Sequence, residues 1–191
     1  MNTTRKRMIG VLVGFVVVMV VAVVAYGRLS LSVSPSSPSQ TETSSSSTSQ
    51  TKTIPAPDFS FTDEGGSTLN FASFQDKPTV LVFWASWCPY CKAELDGIQE
   101  IYAEFADKVN FVALDCIGSN GETEEAGRAT KEEHGWEFPI YFDSDVEGQA
   151  SYGVRSMPAT AIVDTDGNIS VTQLGLLNHE TLASLLRGMG A

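Results

Sequence analysis

The stretch Phe83–Cys91, with the sequence FWASWCPYC, joins an apolar run to two cysteines that are separated by two residues. The preceding residues, Thr79–Trp84, are bulky or β-branched, which predicts a strand covered on both faces. Apolar residues then recur at helical spacing and predict a helix over Pro89–Ala106. Proline suits the first helical position, where its missing N–H costs nothing, so Cys88 is predicted to be the N-cap.

This placement predicts different roles for the two cysteines. At the N-cap, Cys88 faces unpaired backbone N–H groups and the positive end of the helix dipole, which stabilise a thiolate. Cys91 lies one turn further on, on the side that carries Leu95 and Ile98, so it should be shielded. We expect Cys88 to be the nucleophile and Cys91 the resolving thiol. A Cys88–Cys91 disulfide closes a very short loop, which favours redox exchange over a structural role.

At this junction the chain resembles a known family. The WCPYC motif at Trp87–Cys91, preceded by FWA and followed by Lys92–Glu94, is similar to membrane-tethered extracytoplasmic thioredoxin-like proteins of the TlpA/ResA type. Secreted oxidants of the actinobacterial DsbE type are close relatives of that group. The resemblance covers roughly residues 54–191. It implies a thioredoxin fold and thiol-disulfide oxidoreductase activity on protein substrates.

The resemblance also implies roles for residues outside the cysteine pair. Glu94 matches the acid of the family's Cys-x-x-Cys-x-x-Glu motif, which is implicated in proton transfer, whereas helical spacing alone predicts a solvated residue. Pro158 matches the cis-proline beside the cysteines, and Met157 before it would offer its backbone to substrate. The alternative is a proline that only begins an edge strand. The buried acid of plain thioredoxin is absent, because Val82 occupies its position.

Residues next to Cys88 are candidates for substrate contact. We expect Trp87, Pro89 and Tyr90 to lie at the surface there, and Trp84 to lie in the core. The third cysteine, Cys116, follows the second predicted strand. A regulatory or mixed-disulfide role for Cys116 is conceivable, but a small buried hydrophobic residue is the commoner case.

The remaining elements complete an α/β domain. We predict a thioredoxin fold over residues 54–191, in which helices flank a mixed central sheet, with an N-terminal hairpin and an extra αβ insert. The predicted elements, in chain order, are a hairpin of Phe59–Phe61 and Thr68–Phe71, a second parallel strand Val109–Leu114, an insert of a helix in Gly121–Gly135 and a strand Phe138–Phe142, a closing hairpin of Ala159–Val163 and Ile169–Leu174, and a final helix Thr181–Met189.

The N-terminal region differs sharply in composition from the rest of the chain. Met8–Tyr26 is a charge-free, valine-rich run of 19 residues, and as a helix of about 28 Å it could cross the hydrocarbon core of a bilayer. Basic residues precede it, which predicts a cytoplasmic N-terminus and an extracytoplasmic domain. A cleaved signal peptide is the alternative. We expect a basic cytoplasmic terminus, a transmembrane signal anchor and a disordered Ser/Thr/Pro-rich linker at residues 1–7, 8–27 and 28–53.

Charge excludes one class of partner. Five basic residues and one acidic residue lie before Ile54, which leaves seven basic and 22 acidic residues and a net charge of −15 in the rest of the chain. A domain this acidic repels phosphates, so we expect no nucleic-acid partner.

We therefore predict a membrane-anchored thiol-disulfide oxidoreductase that acts on protein thiols or disulfides without a cofactor or metal. The resemblance implies a reductant, as in cytochrome c maturation, that is recharged by a membrane redox partner. A disulfide-forming oxidant remains open, because the Pro89-Tyr90 dipeptide matches neither thioredoxin nor ResA. A module that holds clients or copper through the same thiols is a further alternative. A peroxiredoxin is disfavoured, since its Thr-x-x-Cys motif is absent from the sequence.

Overall fold

The strand before the cysteines, Thr79–Trp84, lies in the interior of a seven-stranded sheet. All six of its residues are buried, as its apolar sequence predicts. The computed structural model describes residues 53–74 and 76–191. Within these ranges the strands are β1 (Ser60–Thr62), β2 (Thr68–Asn70), β3 (Thr79–Trp84), β4 (Asn110–Asp115), β5 (Ile140–Phe142), β6 (Ala159–Val163) and β7 (Ile169–Leu174). The helices are α1 (Pro89–Phe105), α2 (Glu124–His134), α3 (Glu147–Ser151) and α4 (His179–Gly188).

The sheet is mixed, and its strands follow the order β2-β1-β5-β4-β3-β6-β7. β3, β4 and β5 are parallel, whereas the β1–β2 and β6–β7 hairpins and the β3–β6 pair are antiparallel. The parallel strands therefore end at one edge of the sheet, which is where ligand sites of such sheets lie. The cysteine pair follows β3 at this edge.

Each face of the sheet buries its own apolar cluster. On one face, Val82 and Trp84 of β3 pack with Leu95 and Ile98 of α1 and with Leu182 of α4. On the other face, aromatic side chains from the β1–β2 region pack on the alternate residues of the central strands, namely Leu81, Phe83, Val112 and Leu114. The two cysteines of the motif belong to the first cluster.

The predicted fold class is confirmed, with an N-terminal hairpin and an αβ insert of α2 and β5. β3, β6 and β7 have the predicted bounds. β4 is displaced by one residue from the predicted strand, and the strand of the insert, β5, is two residues shorter than predicted. The short helix α3 was not predicted, since five residues are too few for a periodic pattern.

Three predicted segments lie outside the described residues: the basic terminus at 1–7, the anchor at 8–27 and the linker at 28–53, apart from its last residue. Within residues 53–74 and 76–191, no helix combines the length and apolar character that a membrane span requires.

Candidate active site

The cysteine pair sits at the start of α1 in the predicted geometry. Cys88 is the N-cap, Pro89 takes the first helical position, and the Cys91 N–H donates a hydrogen bond to Cys88 Sγ at 3.2 Å. The two cysteines form a disulfide. Cys91 has no exposed surface and Cys88 is 3% exposed. The helix N-terminus therefore already holds the sulfur that is predicted to be the thiolate.

Glu94 lies in the core, on the helix that begins at the cysteine pair. It is 2% exposed, so the solvated position that helical spacing predicts is wrong. The Thr160 hydroxyl donates to Glu94 Oε1 at 2.5 Å, and the Leu177 N–H donates to Oε2 at 2.9 Å. Burial raises the pKa of this carboxyl, although both hydrogen bonds act in the opposite direction. Glu94 is thus a buried acid one turn after Cys91, suited to exchange a proton there.

The partner of Glu94 shows where its carboxyl lies relative to the sheet. Thr160 of β6 is directly opposite Val82 of β3 in the antiparallel register. Directly opposed residues share a face, so Glu94 brings a carboxyl to the level of Val82.

The cis-proline loop adjoins the same edge. The Met157–Pro158 peptide bond is cis, as the resemblance implies. Ala159 pairs with Phe83, which places Pro158 beside the end of β3, where the cysteine loop begins. Met157 is half-buried and packs against the apolar cluster that contains both cysteines.

Around the disulfide, three predicted contact residues reach the surface. Trp87 is 44% exposed, Tyr90 is 68% exposed, and Pro89 at the start of α1 is also exposed. Trp87 and Met157 line one groove of about 260 Å³. The Trp87 indole N–H donates to the Ser119 carbonyl at 2.8 Å, which fixes the ring at the groove edge.

Cys116 lies apart from this site. It has no exposed surface and belongs to the apolar cluster on the opposite face of the sheet from Cys88 and Cys91. Burial, followed by the charges of Asp143 and Asp115, raises the pKa of its thiol. Cys116 is therefore a small buried residue of the apolar core, which is the commoner case.

The two histidines do not complete a metal site. His134 Nδ1 lies 2.7 Å from Asp96 Oδ1, and His179 Nε2 lies 3.2 Å from Glu100 Oε2. In the part of the chain that the structure describes, no three His, Cys, Asp or Glu side chains are grouped so that they could hold a metal ion.

The groups that hold Glu94 in place have no signal in the sequence. Thr160 reads as an ordinary strand residue and Leu177 as a loop residue, and no local pattern links either to Glu94. Two further buried acids, Asp115 and Glu122, were not predicted. Asp115 follows an apolar strand at the active edge, which was the one available signal.

Comparison with known proteins agrees with this geometry. The AhpC/TSA family model matches residues 53–172. The chain belongs to the AhpC/TSA family. The thiol-disulfide oxidoreductase ResA of Oceanobacillus iheyensis is 32% identical over 136 residues, covering 69% of each chain. The thioredoxin-like protein YneN of Bacillus subtilis is 31% identical over 132 residues, covering 69% of this chain and 76% of YneN.

Solved structures show the same fold in this family. The dsbF structure from Mycobacterium tuberculosis superposes with a TM-score of 0.62 at 27% identity, covering 69% of this chain and 94% of dsbF. Together with the ResA relatives, this confirms the predicted thioredoxin-like fold and the thiol-disulfide oxidoreductase activity of this AhpC/TSA family member.

Proposed function

We propose that the protein reduces disulfide bonds in protein substrates outside the cytoplasm, held at the membrane by residues 8–27. The observation that carries the proposal is the arrangement of the two sulfurs, with Cys88 capping α1 and Cys91 fully buried behind it. The names of the ResA relatives and the charge-free N-terminal run support the direction and the location, respectively.

The reaction follows from the burial of the pair. Cys88 thiolate attacks a substrate disulfide, forms a mixed disulfide and releases one substrate thiolate. Cys91 then loses its proton and attacks Cys88 Sγ, which releases the second substrate thiolate and closes the Cys88–Cys91 disulfide. Two electrons pass from the protein to the substrate. Because Cys91 has no exposed surface, it meets only a substrate that is already bound to Cys88.

Glu94 serves as the proton acceptor for Cys91 in this scheme. A carboxyl whose pKa is raised by burial holds or releases a proton nearer neutral pH than an exposed glutamate does. Thr160 and the Leu177 amide fix both oxygens, so the carboxyl cannot turn out to solvent.

Charge around the pair favours the reducing direction. Strong oxidants of this fold stabilise their reduced form by an unusually stable thiolate. Here the chain after residue 53 has a net charge of −15, and the buried acid Glu122 accepts a hydrogen bond from Ser86, two residues before Cys88. Negative charge destabilises a thiolate, so the dithiol form is more ready to give up its electrons.

Substrate contact takes place in the groove between Trp87 and Met157. Both side chains are apolar at the groove, and Tyr90 extends the exposed apolar surface beside Cys88. Flexible and aromatic side chains of this kind accept varied polypeptides. After each turnover a membrane redox partner would return two electrons to the pair, and apocytochrome c cysteines are the substrate class that the ResA-type resemblance implies.

The direction is tested by equilibrating the full-length chain in detergent with glutathione buffers. Alkylation after acid quenching gives the oxidised fraction, and hence the reduction potential. We expect a value near that of thioredoxin, about −270 mV. A value near that of DsbA, about −120 mV, would instead assign the oxidising role.

The roles of the two cysteines are tested by a trapping experiment. Cys91→Ser should accumulate mixed disulfides through Cys88 when it is incubated with a disulfide-containing protein. Cys116→Ser is the matched control, because Cys116 lies on the other face of the sheet, and it should trap nothing. If Cys91→Ser traps no substrate, the exchange mechanism is wrong and a holding role for the thiols gains support.

A further inference from the structure

A second buried acid, Asp115, lies on the same face of the sheet as the cysteine pair. Asp115 ends β4 and is in register with Trp84, which ends the parallel strand β3. Residues in register on adjacent strands project to the same face, and Trp84 packs in the cluster that contains Cys88 and Cys91. Asp115 has no exposed surface.

The carboxyl of Asp115 is enclosed without a hydrogen-bond donor. Neither of its oxygens receives a hydrogen bond from any described residue. Helix α2 crosses directly over it at Gly127, where an added methyl group would overlap the carboxyl and lie 3.1 Å from its Cγ atom. A buried carboxylate with no donor and no cation is far less stable than the neutral acid, so this site holds a proton.

A second acid connects this site to the cysteine loop. Glu122 is 3% exposed, and its Oε2 accepts a hydrogen bond from the Ser86 hydroxyl at 2.8 Å. Ser86 lies two residues before Cys88. Glu122 Oε1 and Trp84 Nε1 are also buried without a hydrogen-bond partner among the described residues. We call Trp84, Ser86, Asp115 and Glu122 the Asp115 cluster.

The charged groups around the cluster add to the negative potential. Glu124 of α2 faces it, and the two cations of α2 on the Glu64 side are engaged elsewhere. Arg128 contacts Glu124 at 3.6 Å and the Glu64 carbonyl at 2.9 Å, and Lys131 pairs with the Glu64 carboxylate at 2.7 Å. Asp143, which follows β5, accepts hydrogen bonds from the N–H groups of residues 148 and 149. The thiol of Cys116 lies on the other face.

These surroundings have one electrostatic consequence. Burial first, and then the charges of Glu122 and Glu124, raise the pKa of Asp115 from 3.8 to about 8. The neutral and ionised forms of this acid are therefore both accessible near physiological pH, where the cysteine pair works.

We propose that Asp115 is a redox-linked proton-holding residue, which keeps its proton while Cys88 is a thiolate and gives it up more readily once the Cys88–Cys91 disulfide has formed. Reducing the disulfide takes two electrons from a dithiol reductant and one proton, giving Cys88 thiolate and Cys91 thiol. The new negative charge on the same face of the sheet disfavours a second one, so an ionised Asp115 takes up one further proton. The inference rests on exchange at the two cysteines and not on its direction or location.

The test is the pH dependence of the exchange equilibrium with glutathione, measured from pH 7 to pH 9.5 on the full-length chain in detergent. In the wild type, uptake of the extra proton makes the logarithm of the equilibrium constant vary more steeply with pH above the pH at which Asp115 ionises. In Asp115→Asn this component is lost. The ratio of the equilibrium constants at pH 7 and pH 9 should therefore be about five times smaller in this variant than in the wild type. A factor of about five is at the low end of the usual coupling between two sites.

Two further variants make the outcome decisive. Glu122→Gln keeps Asp115 but removes the like charge that contributes most to raising its pKa, so the steepening should begin at lower pH. This variant also decides the matter if Asp115→Asn does not fold. Glu125→Gln removes an exposed carboxylate of the same helix and should match the wild type. Parallel profiles for the wild type and Asp115→Asn, or an unchanged profile in Glu122→Gln, would overturn the inference. Failure of the pair to equilibrate with glutathione at all would instead refute the proposed function.

Discussion

Replacing Asp115 with asparagine should stabilise the folded protein at alkaline pH. The wild-type carboxyl is fully buried without a hydrogen-bond donor, and burial raises its pKa from 3.8 to about 8. Between these two pH values the folded state binds one proton more than the unfolded state. The contribution to stability is therefore fully present below pH 3.8 and is lost as the pH rises towards 8. Asparagine cannot ionise, so the variant avoids this loss.

The structure sets the size of the effect. One proton bound only in the folded state lowers the free energy of unfolding by about 1.4 kcal/mol per pH unit. Across the interval from 3.8 to about 8 the loss reaches an upper limit of about 6 kcal/mol. Asparagine still buries an amide without a shown hydrogen-bond partner, which offsets part of this gain. We expect the variant to be more stable than the wild type by about 2–4 kcal/mol at pH 8.5.

The assay is urea unfolding of the oxidised protein, followed by tryptophan fluorescence at intervals from pH 5 to pH 8.5. The difference between variant and wild type should grow with pH. Asp145→Asn is the matched control, since Asp145 is exposed and the same substitution there should change nothing. A constant difference between Asp115→Asn and the wild type over this range would show that Asp115 is ionised in the folded protein.

Two other substitutions test the packing of the site. Glu94→Ala should lower the free energy of unfolding by about 2–4 kcal/mol in urea titrations, because it leaves the Thr160 hydroxyl and the Leu177 amide buried without an acceptor. Glu94→Gln keeps an acceptor and should cost less than about 1 kcal/mol. Equal losses in the two variants would refute the role of Glu94 as the acceptor of these hydrogen bonds. Gly127→Ala should cost about 1–3 kcal/mol despite the helix preference of alanine, because its methyl group meets the Asp115 carboxyl. Adding Asp115→Ala should restore most of that loss, and no restoration would place the strain elsewhere.

The parts of the fold that rest on local pattern could be predicted from the sequence. β3 is a contiguous apolar run and Pro89 marks the first turn of α1, so the strand, the helix and the N-cap at Cys88 follow from residues that are adjacent in the chain. The cis form of Pro158 followed only from family resemblance, since no local pattern specifies it.

The buried acids could not be predicted in the same way. Glu94 is three residues after Cys91 and looks solvated on a helical wheel, but its carboxyl is held by Thr160 and Leu177, which are 66 and 83 residues away in sequence. Asp115 comes directly after the predicted strand Val109–Leu114, and its burial depends on a helix that packs over it at Gly127. Such environments are set by tertiary packing, which short-range periodicity does not contain.

The most direct test of the mechanism is the alkylation rate of each cysteine in the reduced protein as a function of pH. Cys88 should react with iodoacetamide with a midpoint below the value of about 8.5 for free cysteine, because the helix N-terminus stabilises its thiolate. Cys91 should resist alkylation until the protein unfolds, since it has no exposed surface. Peptide mapping by mass spectrometry separates the two. Equal reactivity of both cysteines, with midpoints near pH 8.5, would contradict the assignment of Cys88 as the nucleophile.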